Sequence, residues 1–302
     1  MTAMAILLAL VSAVAYGLSD FVGGLVSRRV SAWSVAVVAQ LSSTACTAAV
    51  ALLVAGTPQP RHFAWAVVAG VGSGVGTGFL YRGFSSGRMS VVAPVSAIGA
   101  AVVPMAAGAL GGERPSALVW LGILAALPGI WLVASVPEAD LARTDPADPA
   151  GLTGSTGPTG DRRRAIPAAG LVDGILAGLG FGLLFSALGQ VPGSAGLWPL
   201  ALAQAVSVPA VIVLAATLRA PWMPRGRPVR WAALAGPLGA TATGSFLLAT
   251  QQGYLTVTGV LASLYPATTV LLAALVLHER IHRAQGVGLG LCAAAVALVA
   301  AG

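Results

Sequence analysis

Long apolar stretches alternate along the chain with short polar breaks. Ten runs stand out, at about 3–26, 32–55, 63–84, 89–110, 116–136, 166–189, 194–218, 229–250, 255–277 and 284–301. About 20 apolar residues in a helix cross the hydrocarbon core of a bilayer. The runs are continuous, whereas barrel strands alternate apolar with polar positions. The pattern therefore predicts an all-α polytopic membrane protein with ten transmembrane helices. Gly56-Thr57-Pro58, Pro192-Gly193 and the stretch from Pro221 to Pro228 punctuate it. The longest break, Pro137 to Pro167, is rich in Pro, Gly, Thr and Asp and contains Arg162-Arg163-Arg164. It reads as a flexible polar linker over 137–165, between a five-helix unit at 1–136 and another at 166–302.

The two units resemble each other. At an offset of 166, Gly87 falls on Gly253, Val91 on Val257, Ala101 on Ala267 and Ala107 on Ala273. Glu113-Arg114 then falls on Glu279-Arg280, Gly122 on Gly288, and Leu132-Val133-Ala134 on Leu298-Val299-Ala300. Just upstream, Thr77-Gly78 overlies Thr243-Gly244. Alanine-rich sequence matches itself easily, but acids are too scarce here for the Glu-Arg pair to coincide cheaply, so an internal repeat is expected. Five spans per repeat force the second to insert upside down, which is the architecture of secondary transporters with a site near the midplane. Small residues also recur every fourth position: Gly70, Gly74 and Gly78; Gly170, Gly174, Gly178 and Gly182; Gly236, Ala240 and Gly244. Such stripes let helix backbones approach closely in lipid.

Composition agrees and charge adds a direction. Hydrophobic residues make up 57% of the 302 and charged residues only 8%, against roughly 25% charged in soluble domains. The net charge of +7 comes from 16 basic residues, all arginine, and nine acids. Fourteen of the arginines lie in the breaks after runs 1, 3, 5, 7 and 9 or, for Arg82 and Arg230, at the run ends that border them. Arginine favours cytoplasmic loops, so these breaks are expected inside, both termini outside, and the chain in the cytoplasmic membrane. That distribution accounts for the basic charge without a nucleic-acid partner. Cys46 and Cys292 sit in apolar runs and predict no disulfide. Ala13-Val14-Ala15 imitates a signal-peptidase site, but no basic residue precedes it, so run 1 is expected to stay as a helix. No phosphate-binding or dinucleotide fingerprint occurs, and no cofactor is expected.

A Glu-Arg pair (in the first half Gly112-Glu113-Arg114), a short gap and a Gly-containing apolar helix close each half (Glu113-Arg114 to Val133; Glu279-Arg280 to Val299), each preceded by a Pro-bearing helix (Pro94 and Pro104; Pro266). Tyr16-Gly17 adds an aromatic-Gly pair in the first helix. The chain thus resembles the EamA-type transporters of the drug/metabolite transporter superfamily over nearly its whole length. The resemblance implies ten helices around a central cavity and export of amino acids, other metabolites or toxic compounds. Many members place both termini inside, where the arginine distribution here puts them outside.

Asp20 is the sharpest candidate for chemistry. An acid within a span is costly unless paired or hydrated, and such residues mark pathways. Ser12, Tyr16 and Asp20 recur at spacing four and share one helix face. Asp20 is read either as a proton or substrate contact or as a structural partner of Arg28 or Arg29. Tyr81, Gln204, Thr243, Gln251 and Tyr265 are candidate pathway residues, with Gln40, Ser43, Thr77, Ser96 and Ser263 also polar within spans; interhelical hydrogen bonding is the alternative for each. Arg82 is expected to snorkel, Asp173 to favour a helix N-terminus, and Tyr265-Pro266 to kink the ninth helix. Glu113 and Glu279 are read as boundary ion pairs with the adjacent Arg114 and Arg280 or with an arginine of another helix, a gating role being the alternative. His278-Glu279-Arg280-Ile281-His282 matches the H-E-x-x-H zinc-protease pattern, but its counterpart around Glu113 holds no histidine. The expected function is secondary-active transport of a small molecule by alternating access, with protons as a candidate coupling ion. A multidrug or lipid-linked carrier is the alternative within transport, and an intramembrane zinc protease the alternative outside it.

Overall fold

The computed structural model of the chain describes residues 2–86, 89–134, 168–276 and 281–302. The linker 137–165, His278, Glu279 and Arg280 lie outside the described residues. The first half holds α1 (Ala3–Ser27), α2 (Ala32–Ala51), α3 (Pro60–Ser85), α4 (Met89–Leu110) and α5 (Ala117–Ala134). The second holds α6 (Ala168–Leu188), α7 (Trp198–Thr217), α8 (Ala235–Thr250), α9 (Leu255–Ala262), α10 (Tyr265–Val276) and α11 (Arg283–Ala301). A 3₁₀ turn, Pro228–Leu234, extends α8 at its start. Ten stretches among the described residues are long and apolar enough to cross a membrane.

The ninth span differs from its single predicted helix. It is two helices, α9 and α10, separated at Ser263-Leu264. Pro266 stands in the first turn of α10. Proline lacks an N–H and suits a helix start, where that donor has no intrahelical partner anyway. The kink expected from Tyr265-Pro266 is therefore a break.

The halves interlock. α3 packs on α6 and α7, and α8 packs correspondingly on α1 and α2. Likewise α6 packs on α4 as α1 packs on α10, while α5 and α11 pair with each other. Exchanging the halves maps these contacts onto one another, the signature of two inverted repeats. The glycine stripes set the closest approaches. A Cβ added at Gly178 would lie 3.0 Å from the Cα of Gly99, where α6 meets α4, and one at Gly74 would lie 2.7 Å from Ala210 Cβ, where α3 meets α7. With no apolar driving force between helices in lipid, close backbone packing of this kind holds the bundle.

Candidate central polar site

The interlocked halves enclose a small polar cavity of about 40 Å³. Tyr16, Ser19 and Asp20 reach it from α1, Gln40 and Ser43 from α2, and Ser73, Thr77 and Tyr81 from α3. The second half contributes Phe181, Gln204 and Thr243. Its frame is a pair of equivalent hydrogen bonds. Gln40 Nε2 donates to Thr77 Oγ1 at 3.2 Å and to Ser73 at 2.9 Å. Gln204 Nε2 donates to Thr243 Oγ1 at 3.0 Å and to Ser43 at 2.8 Å. Thr77 and Thr243 are the residues that coincide when the repeats are overlaid. Each half thus builds the same clamp between its second and third spans, and the Gln204–Ser43 bond ties the two halves together.

Asp20 breaks this symmetry, since at the offset of 166 it falls on Ser186. Among the described residues it is the only charged side chain lining the cavity, and it is 7% exposed. Among the described residues its carboxylate has no hydrogen-bond or ion-pair partner, so neither Arg28 nor Arg29 neutralises it. Tyr16 and Tyr81 line the same cavity. The Tyr16 hydroxyl is buried and without a hydrogen-bond partner. Its ring meets Phe185 edge-on at 5.6 Å between centroids, and Phe185 stacks on Phe246 at 4.3 Å. The cavity therefore presents one unpaired carboxylate, one unpaired phenol and an otherwise neutral polar wall.

Of the pathway candidates, Asp20, Tyr16, Tyr81, Gln204 and Thr243 converge on this cavity. Tyr265 stands behind Tyr16, at 6.3 Å between ring centroids, and its hydroxyl lies 3.0 Å from that of Ser96. Ser12 lies outside, its hydroxyl donating to Ala242 O at 2.8 Å in the seam between α1 and α8. Gln251 caps the end of α8, beside Gly193. Ser19 and Ser73 also line the cavity and were not singled out from sequence. A serine in a span has no signature separating cavity lining from interhelical bonding; the signal available was that Ser19 adjoins Asp20 and Ser73 lies four residues before Thr77.

Two further carboxylates, Asp173 and Glu113, tie the halves at opposite ends. Arg82 does not snorkel: its Nε donates to Asp173 Oδ1 at 2.9 Å, with a second bond from Nη2, joining α3 to α6. Asp173 is 3% exposed at the side chain, so the partner it needs is an ion rather than a helix terminus alone. At the other end, Glu113 takes the N-terminus of α9 instead of an arginine. Its carboxylate accepts the amides of Leu255 at 2.7 Å and Thr256 at 2.8 Å, together with the Thr256 hydroxyl. A carboxylate suits the unpaired amides and positive dipole of a helix start. Arg114 beside it is exposed. Glu279 and Arg280, as noted, lie outside the described residues.

Of the zinc pattern, Ile281 and His282 are the described residues. H-E-x-x-H needs both histidines on one helical face. His282 precedes α11 as its N-cap residue, its amide donating to Gln285 Oε1 at 3.1 Å. His62 stands at the start of α3, at the other end of the bundle, accepting the Gln59 amide.

The model of the EamA-like transporter family matches the chain twice, over residues 3–135 and again over 169–301. No curated protein matches its sequence. One solved protein crystal structure covers 99% of this chain and 96% of its own, with a TM-score of 0.71 at 16% identity. At that identity the likeness is one of fold.

Proposed function

The chain belongs to the EamA-like transporter family of membrane transporters, and on that premise we propose that it is a secondary transporter that exports small organic solutes by alternating access, with Asp20 as its proton or substrate contact. The unpaired burial of Asp20 carries this reading. A carboxylate withdrawn from water without a partner is costly. It is stable there when it holds a proton or a cation, and a carrier needs such a site to be filled and emptied in turn. The neutral Gln–Thr clamps on either side orient polar groups of a bound solute without adding charge.

The cavity fits a closed conformation. About 40 Å³ holds roughly three waters at about 15 Å³ of such volume each, too little for an amino acid. Loading therefore requires the halves to part at one end. The Arg82–Asp173 pair and the Glu113 cap join opposite halves at opposite ends, and alternating access would open one while the other holds.

The test compares cells carrying the wild type or Asp20→Asn at matched membrane levels, challenged with toxic amino acids, their analogues and cationic drugs. Resistance from the wild type alone is the expected result and names the substrate class. Equal resistance from both makes Asp20 structural. Resistance from neither, together with no solute flux in proteoliposomes under a proton gradient, would sink the export reading.

A further inference from the structure

A groove runs along the outer surface between α1 and the span that begins at Pro228. At its arginine-rich end is a cleft of about 540 Å³ lined by Leu25, Val26, Arg28, Arg29, Pro228 and Trp231. Further along, between the same two spans, a second cavity of about 450 Å³ is lined by Leu7, Val11, Val14, Leu18, Leu238 and Thr241, among others. The α1 residues Leu25, Leu18, Val14, Val11 and Leu7 step by seven, four, three and four, which keeps them on one helix face. Trp231, Leu234, Leu238 and Thr241 step by three, four and three along the facing span. The two cavities are therefore successive parts of one groove, cationic at one end and apolar along its length.

We propose that this groove holds an anionic phospholipid, with its phosphate at Arg28 and Arg29 and an acyl chain laid along Leu18, Val14 and Leu238. Three observations fit that occupant. Leu25 to Val14 spans eleven residues, about 16 Å at 1.5 Å per residue, half of a hydrocarbon core of about 30 Å. Trp231 is 66% exposed at the mouth, where an indole ring sits at headgroup level in membranes. The charge is complementary to phosphate: besides Arg28 and Arg29, the facing segment carries Arg225, Arg227 and Arg230. Basic pockets between spans bind anionic headgroups in this way. Ser31 and Ser34 donate to the carbonyls of Pro221 and Met223, pinning the basic 218–227 segment to the α1–α2 turn, so the cationic end is built rather than fluid. The groove lies on the back of α1, the helix that carries Asp20 into the central cavity.

Native mass spectrometry of the purified full chain tests this, with dioleoyl phosphatidylglycerol against dioleoyl phosphatidylcholine. The wild type should retain phosphatidylglycerol preferentially, and Arg28→Gln/Arg29→Gln should lower that retention about thirtyfold, on the scale of two basic residues at a lipid surface. Arg61→Gln/Arg114→Gln, which removes equal charge at the opposite end, should leave it unchanged. Melting midpoints verify folding, and the single Arg29→Gln variant replaces the double one should the latter not fold. Equal retention by the groove variant and the wild type overturns the proposal. So does displacement of the lipid by an equal concentration of inorganic phosphate, which would make the site one for a free anion.

Discussion

The Arg82–Asp173 pair permits a stability prediction with a built-in control. Asp173 is 3% exposed at its side chain and Arg82 33%. Removing one partner of a buried pair costs about 3–5 kcal/mol, because the other charge is left without compensation. Arg82 is one-third exposed, so water can reach part of the site, and the figure falls to about 2 kcal/mol for Arg82→Gln. Loss of the guanidinium packed 4.5 Å from the Phe79 ring centroid adds about 0.5 kcal/mol. The apparent melting midpoint in detergent should drop by about 5–10 °C, at roughly 2–4 °C per kcal/mol for a large domain. Asp173→Asn in the same background removes the stranded charge and should restore most of the loss. The pair is then coupled, and the double variant is more stable than the sum of the single changes. Additive losses, or an Arg82→Gln midpoint equal to that of the wild type, would show that the pair does not hold α3 to α6.

Four further outcomes follow from the same geometry. Asp20→Asn should abolish transport while leaving the melting midpoint level or higher, because it removes an unpaired buried charge; a clear loss of stability in thermal melts would mean that the carboxylate is structural. Gln40→Leu and Gln204→Leu each remove two hydrogen bonds from equivalent clamps and should each cost about 1–3 kcal/mol, in similar measure; a large inequality in their melts would refute the equivalence of the halves. Glu113→Gln should cost about 1 kcal/mol and Glu113→Ala more, as the cap of α9 is weakened and then lost, read as hydrogen exchange at the amides of Leu255 and Thr256. Gly178→Leu should prevent the close approach of α6 to Gly99 on α4 and lower the yield of folded protein, since overpacking here displaces backbone.

The spans, the repeat and most of the cavity were legible in the sequence because each leaves a signal that survives without coordinates. Apolar length is countable, and in a chain with nine acids a recurring Glu-Arg pair and a mid-span Asp20 stand apart. What was not legible depended on partners distant in sequence. Arg82 and Asp173 are 91 residues apart, and Glu113 and Leu255 are 142 apart. A charge at a helix boundary is satisfied equally well by water, an ion or a helix terminus, and only packing decides which. Ser12 and Tyr16 share a face by periodicity, yet a helix face is wide enough to serve a seam at one edge and a cavity at the other. Of the H-E-x-x-H pattern only Ile281 and His282 are among the described residues, and His282 stands just before the helix that starts at Arg283.

The central site combines a duplicated frame with an unduplicated charge. The Gln40–Thr77 and Gln204–Thr243 clamps come from equivalent spans and meet across the pseudo-twofold axis, so exchanging the roles of the halves changes the frame little. An alternating-access cycle needs this, since the inward-open and outward-open forms of inverted repeats are approximately each other's exchanged halves. Asp20, Tyr16 and Tyr81 occur in the first half only. In the proposed cycle their environments would differ between the two open forms, with α1 opening to water on one side and its counterpart α6, which offers Ser186 at that position, on the other. A charge whose hydration differs between two states has a different affinity for a proton or cation in each. In the proposed mechanism that difference would let a gradient bias the exchange of otherwise symmetric conformations, and a second acid placed at position 186 should weaken the bias. Ser186→Asp, measured as solute accumulation in proteoliposomes under a fixed proton gradient, is expected to lower the accumulation ratio while leaving downhill exchange in place; an unchanged ratio would show that the asymmetry of the charge does not set the direction of transport.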